Sequence, residues 1–447
     1  MKASPVSDRR RASGTTATVL PAPPMLSRYA CRIVVLLSML AVDLLWPQKL
    51  LIPMDESQRD HLKAYGVTFW TLRRGTEVEW LLNYRGGSFL VDAQPAIRKE
   101  CQVRGVTSEP VDAAQLGAIY ATIGEHNMDI VLLEKAPRIA VYSPPNRQPW
   151  DDAVTLALTY AEVPYATIYD REVLSGGMSR YDWLHLHHED FTGQHGKFWR
   201  SYANAPWYKQ QERDYKALAA ELGYPHVPAL KKAVAQAIKG YVVRGGFLFA
   251  MCSATDSWDI ALAAQNVDIA GIPFDGTPPH PDASGRLDFL QSVAFENYEL
   301  YTDPMIYEFA TIDIPASHNP APRSAENDYF TLFEFAAKYD PVPTMLTQNH
   351  VGVIKGFMGQ TTNFRRSTLK KSVVLMGERE GTEEVRYLHG NLGQGTFTFL
   401  GGHDPEDYQH FVGDPPTNLA LHPNSPGYRL ILNNVLFPAA RKKERKT

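Results

Sequence analysis

The chain has 447 residues, 44% of them hydrophobic and 21% charged, with a net charge of −4. That length exceeds one ordinary core and predicts two or three domains, and the charge argues for neither a nucleic-acid partner nor an anionic membrane surface. Three cysteines, Cys31, Cys101 and Cys252, exclude a disulfide framework, although Cys101 and Cys252 could still pair.

Residues 1–24 are rich in Ser, Thr, Ala, Pro and Arg and read as a disordered tail, or as sequence upstream of a true start at Met25. Arg28 and Arg32 then precede an apolar run from Ile33 to Val42, broken by Asp43 and Pro47. A basic end, a short apolar run and a break predict an export signal within 1–48. The run falls short of the roughly 20 residues of a membrane span. The expected location is therefore periplasmic, or membrane-anchored through an uncleaved leader.

Residues 49–135 predict a small α/β domain. Its strands are Lys49–Pro53, Val78–Tyr84 and Met128–Leu133, and its helices are Glu56–Trp70 and stretches near 94–104 and 113–124. The turn Arg85-Gly86-Gly87-Ser88 either turns the chain or holds an anion on its N–H groups. Residues 136–437 predict a larger domain. Strands Arg138–Tyr142, Tyr165–Tyr169 and Asp182–His188 are interleaved with a helix at 151–162, and helix Ala229–Val243 leads to strand Phe247–Met251. Strands alternating with helices predict a parallel sheet covered on both faces. Insertions are expected near 191–228 and 271–330. Further strands are predicted near Pro343–Leu346, Val373–Met376, Val385–His389 and Thr396–Leu400, then a helix Gly427–Leu436 and a solvated basic tail at 438–447.

The stretch Gly245–Ala264 organises this domain. An apolar strand stops at Cys252, small residues Ala250 and Ala254 flank it, and an amphipathic helix follows with Asp256 or Ser257 as its expected N-cap. Strand, sharp turn and helix make the shape of a nucleophile elbow. A thiolate there faces a helix N-terminus, which predicts a lowered thiol pKa. The plainer reading is a buried cysteine at a strand end.

In an open parallel sheet, sites form at the carboxyl ends of the strands. Two more polar clusters fall there. One is His185-Leu186-His187-His188-Glu189-Asp190, and the other is Gly401-Gly402-His403-Asp404-Pro405-Glu406-Asp407. A cysteine nucleophile needs a base, and the base needs an orienting carboxylate. His403 with Glu406 or Asp404 offers both, unless that loop is only a helix start held by ion pairs. His185, His187 and Glu189 share a strand face at period two, which suits a divalent metal. The alternative is that these side chains line the cleft and touch substrate.

The series RIAVYS, DWLHLHHEDF, GGFLFAMCS, GQGTFTFLGGHD and SPGYRLILNNVLF resembles the class I glutamine amidotransferase-like superfamily, in particular its trehalose-utilisation (ThuA-like) branch, over roughly 138–437. The resemblance implies a flavodoxin-like parallel sheet with helices on both faces, beside the smaller N-terminal α/β domain. It also implies Cys252 as nucleophile and His403 as base. Glu406 stands three residues after His403, where that family has two. A closer similarity, through LLNYRGGSFL, WDDAVTL, YDWLHLHHEDFTGQ and HDPEDYQH, is to exported proteins of the Bacteroidetes group commonly labelled asparagine synthetase B.

The expected function is hydrolysis or transfer at a C–N or related bond. Cys252, His403, and Glu406 or Asp404 would do the chemistry, and His187, His188, Glu189 and Ser253 would bind substrate. No cofactor is certain beyond a divalent metal at His185, His187 and Glu189. Two other readings stand beside this one. One is a non-catalytic module binding a sugar or peptide in the same cleft. The other is an ATP-dependent amide ligase with the Ser253–Ser257 loop on pyrophosphate, although that loop lacks the two glycines of the asparagine synthetase motif.

Overall fold

The computed structural model describes residues 49–145, 152–314, 328–355, 359–407 and 414–441. The expected tail and leader, and the basic tail after residue 441, lie outside the described residues.

Strands β1 (Lys49–Ile52), β2 (Val78–Leu82), β3 (Ser88–Asp92), β4 (Glu109–Val111) and β5 (Asp129–Leu133) form an antiparallel sheet in the order β4-β1-β3-β2-β5. The glycine pair between β2 and β3 has a steric cause. Gly86 and Gly87 both have positive φ, and a Cβ on Gly86 would lie 2.3 Å from the Met54 carbonyl oxygen. Arg85 in the same turn bonds Asp55 at 2.6 Å and Glu109 at 2.7 Å. The turn thus closes a hairpin and ties it to its neighbours.

The second sheet contains β6 (Ile139–Tyr142), β7 (Ala166–Ile168), β8 (Trp183–Leu186), β9 (Phe247–Met251), β10 (Tyr329–Leu332), β11 (Val353–Lys355), β12 (Phe364–Arg365), β13 (Val374–Glu378), β14 (Glu384–Leu392) and β15 (Gly395–Leu400). Its order is β11-β10-β13-β14-β15-β9-β8-β6-β7, with β12 beside β14. Strands β7, β6, β8, β9 and β15 run parallel. Numbered within that half, they follow the order 2-1-3-4-5. The other half is antiparallel, which corrects the expectation of a wholly parallel sheet. At β14 and β15 a short link is the cause. Only Gly393 and Gln394 join β14 to β15, whereas a parallel return needs a dozen residues or more.

The helices that cover these sheets are α1 (His61–Arg73), α2 (Pro95–Arg104), α3 (Ala113–Glu125), α4 (Ala153–Tyr160), α5 (Pro206–Glu221), α6 (Val227–Val243), α7 (Ser253–Ala263) and α8 (Pro426–Leu436). One apolar core lies between the sheets. Trp80 and Phe89 of the smaller sheet meet Leu62 of α1, Val154 of α4 and Leu430 of α8, and beyond these Val141, Phe249 and Met251 of the larger sheet. A second core lies on the other face, where Tyr142, Leu184 and Leu248 meet Leu230 and Val234 of α6 and Trp258 of α7. Ile119 and Ile123 of α3 cover the outer face of the smaller sheet. Strand β9 is apolar throughout because it is buried on both faces. Its alternation sends Phe247, Phe249 and Met251 to one core, and Leu248 and Ala250 to the other.

One local expectation is corrected here. Pro343–Leu346 lies in a short helix, Pro341–Leu346, and not in a strand; a short apolar run does not by its period distinguish the two. The insertion at 191–228 contains the sixteen-residue helix α5, which buries Tyr208, Gln211, Tyr215 and Ala219 along one face. No described helix is long and apolar enough to cross a membrane.

Candidate functional site

The carboxyl ends of β8, β9 and β15, and the N-terminus of α4, bring the site together. Strand β9 ends at Met251, and α7 begins at Ser253, so a single residue makes the turn. That residue, Cys252, has φ 50° and ψ −140° and is the N-cap of α7, in place of Asp256 or Ser257. A non-glycine residue at such angles is strained by about 1–3 kcal/mol and persists only where its surroundings hold it. The first-turn N–H of Ala254 is bonded to the His187 carbonyl oxygen at 3.1 Å, which locks the turn onto the end of β8.

The thiol is 2% exposed. Burial pushes its pKa up, and the N–H groups of Thr361, Gln360 and Ser253, which bond the sulfur, act against that rise. The helix end therefore does not win, which reverses the expectation of a lowered pKa. The loop bearing Gln360 and Thr361 is remote in sequence and completes this burial. At Gly359 a Cβ would stand 3.2 Å from Cys252 Sγ and 3.1 Å from His403 Cβ, so Cys252 and His403 flank the same glycine.

His403 packs edge-on against His187, ring centroids 4.5 Å apart, and stacks on His188 at 5.9 Å. One ligand atom from each of His187, His188 and His403 lies within 4.8 Å of the others. Asp404 and Glu406 hold other partners. Asp404 Oδ2 accepts from Thr417 and from the Tyr428 hydroxyl, both at 2.8 Å, and Glu406 pairs with His422 at 3.2 Å. Ser253 is buried, and its hydroxyl donates to the His188 carbonyl at 3.1 Å.

On the other side of His187 stands Asp152, which the sequence reading did not single out. It is the N-cap of α4, and its Oδ1 accepts the N–H groups of Val154 at 2.7 Å and Thr155 at 3.0 Å. Its Oδ2 is 3.5 Å from His185 Nε2, and its Oδ1 is 3.8 Å from His187 Nδ1. Burial would raise the Asp152 carboxyl, but the imidazoles of His187 and His185 hold it below the usual carboxylate range. Its signal was available in the sequence: an Asp opening the helix that follows β6, at the same sheet edge as the histidines.

Glu189 is not beside His185 and His187. Strand β8 ends at Leu186, and the period-two alternation ends with it. Glu189 lines a small cavity with His195, Tyr215 and Lys231, and burial pushes its carboxyl up to about 8. Asp256, which the sequence offers as an N-cap, lies instead on the first turn of α7. It is fully buried, accepts from the Thr361 hydroxyl at 3.0 Å, and is pushed up to about 7 by burial. Cys101 and Cys252 are both free thiols.

No protein-family model matches the chain, and no curated protein matches it. Among solved structures, it is similar to Cytoplasmic Protein STM3548 from Salmonella typhimurium, at 10% identity and a TM-score of 0.32, over 68% of this chain and all of that one. Cytoplasmic Protein STM1381 from Salmonella typhimurium LT2 matches at 10% identity and 0.31, with the same shares. A beta-galactosidase from Bacillus circulans sp. alkalophilus matches at 8% identity and 0.25, over 60% of this chain and 29% of that one. Likenesses this distant assign neither a fold family nor an activity.

Proposed function

We propose that this chain is an exported, glutamine-amidotransferase-like hydrolase or transferase acting on a C–N or related bond of a small molecule or peptide, with Cys252 as nucleophile. The observation that carries this reading is the strained Cys252 backbone on a one-residue turn between β9 and α7. The order 2-1-3-4-5 in the parallel half supports a flavodoxin-like core, because it is one of the two common doubly wound orders. The site also lies at the carboxyl ends of the strands, where such sheets bind ligands.

In the chemistry proposed, His403 takes the thiol proton as Cys252 Sγ attacks the carbonyl carbon. The C–N bond then breaks, the amine leaves with the proton held on His403, and a thioester remains. Water or a second nucleophile cleaves the thioester. The buried sulfur makes transfer within a neutral Cys–His pair the economical route, since a free thiolate is disfavoured there. Asp404, anchored by Thr417 and Tyr428, would position the loop that carries His403, and Glu406 would do so through His422. The same burial favours the rival reading, a sugar- or peptide-binding module in which Cys252 belongs to the core.

Iodoacetamide labelling of the folded full chain, read at Cys252 by peptide mass spectrometry, separates the two. The catalytic reading expects labelling at neutral pH that slows at least ~10-fold in His403→Ala, a modest share of the usual contribution of a general base. Labelling of Cys252 only after unfolding would sink the nucleophile and leave the binding module.

A further inference from the structure

We propose that Asp152, His185 and His187 form a binding site for a zinc-like divalent cation, with at least one coordination position left for water or substrate. One ligand atom from each of the three lies within 4.8 Å of the others, and both histidines are at most 1% exposed.

The argument turns on His185. Its Nδ1 stands 3.1 Å from the Phe249 carbonyl oxygen, which can only accept, so the proton sits on Nδ1. In the neutral ring, Nε2 then presents a lone pair. That lone pair makes no hydrogen bond and faces Asp152 Oδ2 at 3.5 Å. Two acceptors that face each other need a positive charge between them. A second ring proton would supply it, but charge-assisted N–H···O bonds close to about 2.7–2.9 Å. A tetrahedral zinc with ligands at about 2.0–2.2 Å separates neighbouring ligand atoms by roughly 3.4 Å. The His185–Asp152 gap fits the second geometry, and the 3.8 Å gap from Asp152 Oδ1 to His187 Nδ1 lies near it.

The surroundings agree. Metal-ligating imidazoles commonly donate the other ring N–H to a carbonyl, and ligating carboxylates are themselves hydrogen-bonded. Here the Phe249 carbonyl supports His185, and the Val154 and Thr155 amides support Asp152. Two His, one carboxylate and an open position make a ligand set that suits a catalytic zinc more than a closed structural one. His187 is shared with the second trio, His187, His188 and His403, and would link the cation to the residues around Cys252.

This site does not depend on Cys252 being a nucleophile, and its test is separate. The purified full chain, stripped with a chelator, is titrated with Zn2+ by calorimetry and with Co2+ by visible absorption. About one cation per chain is expected, with a tetrahedral Co2+ spectrum that Cys252→Ser leaves unchanged. Asp152→Asn and His185→Gln should each weaken Zn2+ binding at least ~100-fold, the upper end of losses seen for supporting residues alone. Should His185→Gln not fold, Asp152→Asn carries the test, because Asn caps a helix as well as Asp. Failure of the wild-type chain to bind either ion overturns the site. So does binding that survives Asp152→Asn, or a sulfur-to-cobalt band lost in Cys252→Ser. Iodoacetamide labelling of Cys252 is read on the same samples, so loss of the metal and loss of the nucleophile are told apart.

Discussion

Two clusters of buried polar groups meet the larger sheet on opposite faces, and they are built differently. On the face of Tyr142, Lys231 Nζ donates to Asp170 Oδ1 and Oδ2 at 3.0 Å each, to the Tyr142 hydroxyl at 2.8 Å and to the Tyr169 hydroxyl at 3.0 Å. Tyr142 also donates to Asp170. Lys231 and Asp170 are 2% and 1% exposed. On the face of Trp183 and Phe249, the two histidines of the Asp152–His185–His187 cluster are as enclosed, Asp152 is 15% exposed, and the carboxylate–imidazole gaps are 3.5 and 3.8 Å. The first cluster is closed by short hydrogen bonds around Lys231 Nζ, which suits a part in holding the fold. The second is spaced for something between its members. Burial alone does not separate a structural cluster from a functional one; the gap lengths do.

The comparison is broken most severely at the closed cluster. Lys231→Met would leave the Asp170 carboxylate buried without its cation. Removal of one partner of a buried pair typically costs about 3–5 kcal/mol, and urea unfolding of the variant should show a loss of that size. Replacing both partners, Lys231→Met with Asp170→Leu, should recover much of it, because the stranded charge goes as well. A single variant as stable as wild type would mean that the cluster is not closed in the way its distances imply.

The same contrast explains how much was readable in the sequence. The parallel half was legible because β6, β8 and β9 are buried on both faces and read as short apolar runs between helices. Cys252, His185, His187 and His403 were legible through one rule, that chemistry collects at the carboxyl ends of such strands. Asp152 was hidden by its own second role, since an Asp before a helix reads as an N-cap, and Oδ1 is one. Only tertiary structure shows that Oδ2 faces His185. Glu189 was misplaced because period two was carried past Leu186, where the strand ends. The raised Cys252 thiol was out of reach because the residues that help to enclose it, Gln360 and Thr361, lie more than a hundred positions away. The antiparallel half was missed because the two-residue link at Gly393 and Gln394 was not read as a hairpin.

Asp256 sharpens the comparison, because it lies beside Cys252 but is only partly satisfied. Its Oδ1 accepts from Thr361, while burial pushes the carboxyl from the ordinary 3.8 up to about 7. The folded state therefore holds a proton that the unfolded state has released across this window. The contribution of that proton is full below about pH 3.8 and is lost as pH rises through about 7. Between pH 5 and pH 8 the loss is about 3 kcal/mol, from two pH units of the window at about 1.4 kcal/mol each. Asp256→Asn keeps an acceptor for Thr361 and removes the titration. Its unfolding free energy, relative to wild type, should rise by about that amount from pH 5 to pH 8. Parallel wild-type and variant profiles would rule out a proton on Asp256.

The smallest expected effect on stability is at Gly359, where the histidine cluster meets Cys252. A Cβ there would lie 3.0 Å from the His403 backbone nitrogen, 3.1 Å from its Cβ and 3.2 Å from Cys252 Sγ. These contacts are tight but not prohibitive, and neighbours must give by a few tenths of an ångström. Gly359→Ala should cost about 1 kcal/mol, the low end of overpacking. The Gly359 N–H bond to Thr362 Oγ1, 3.1 Å, can remain. Yet the added methyl stands between the sulfur and the His403 backbone. If Cys252 and His403 exchange a proton across that gap, labelling of Cys252 by iodoacetamide should slow at least ~10-fold, a barrier change of about 1.4 kcal/mol. A closed structural cluster would show the opposite balance, a loss of stability with no change in thiol chemistry. Unchanged labelling in a variant that is also destabilised would therefore place Cys252 with the Lys231–Asp170 cluster, among the groups that only hold the fold.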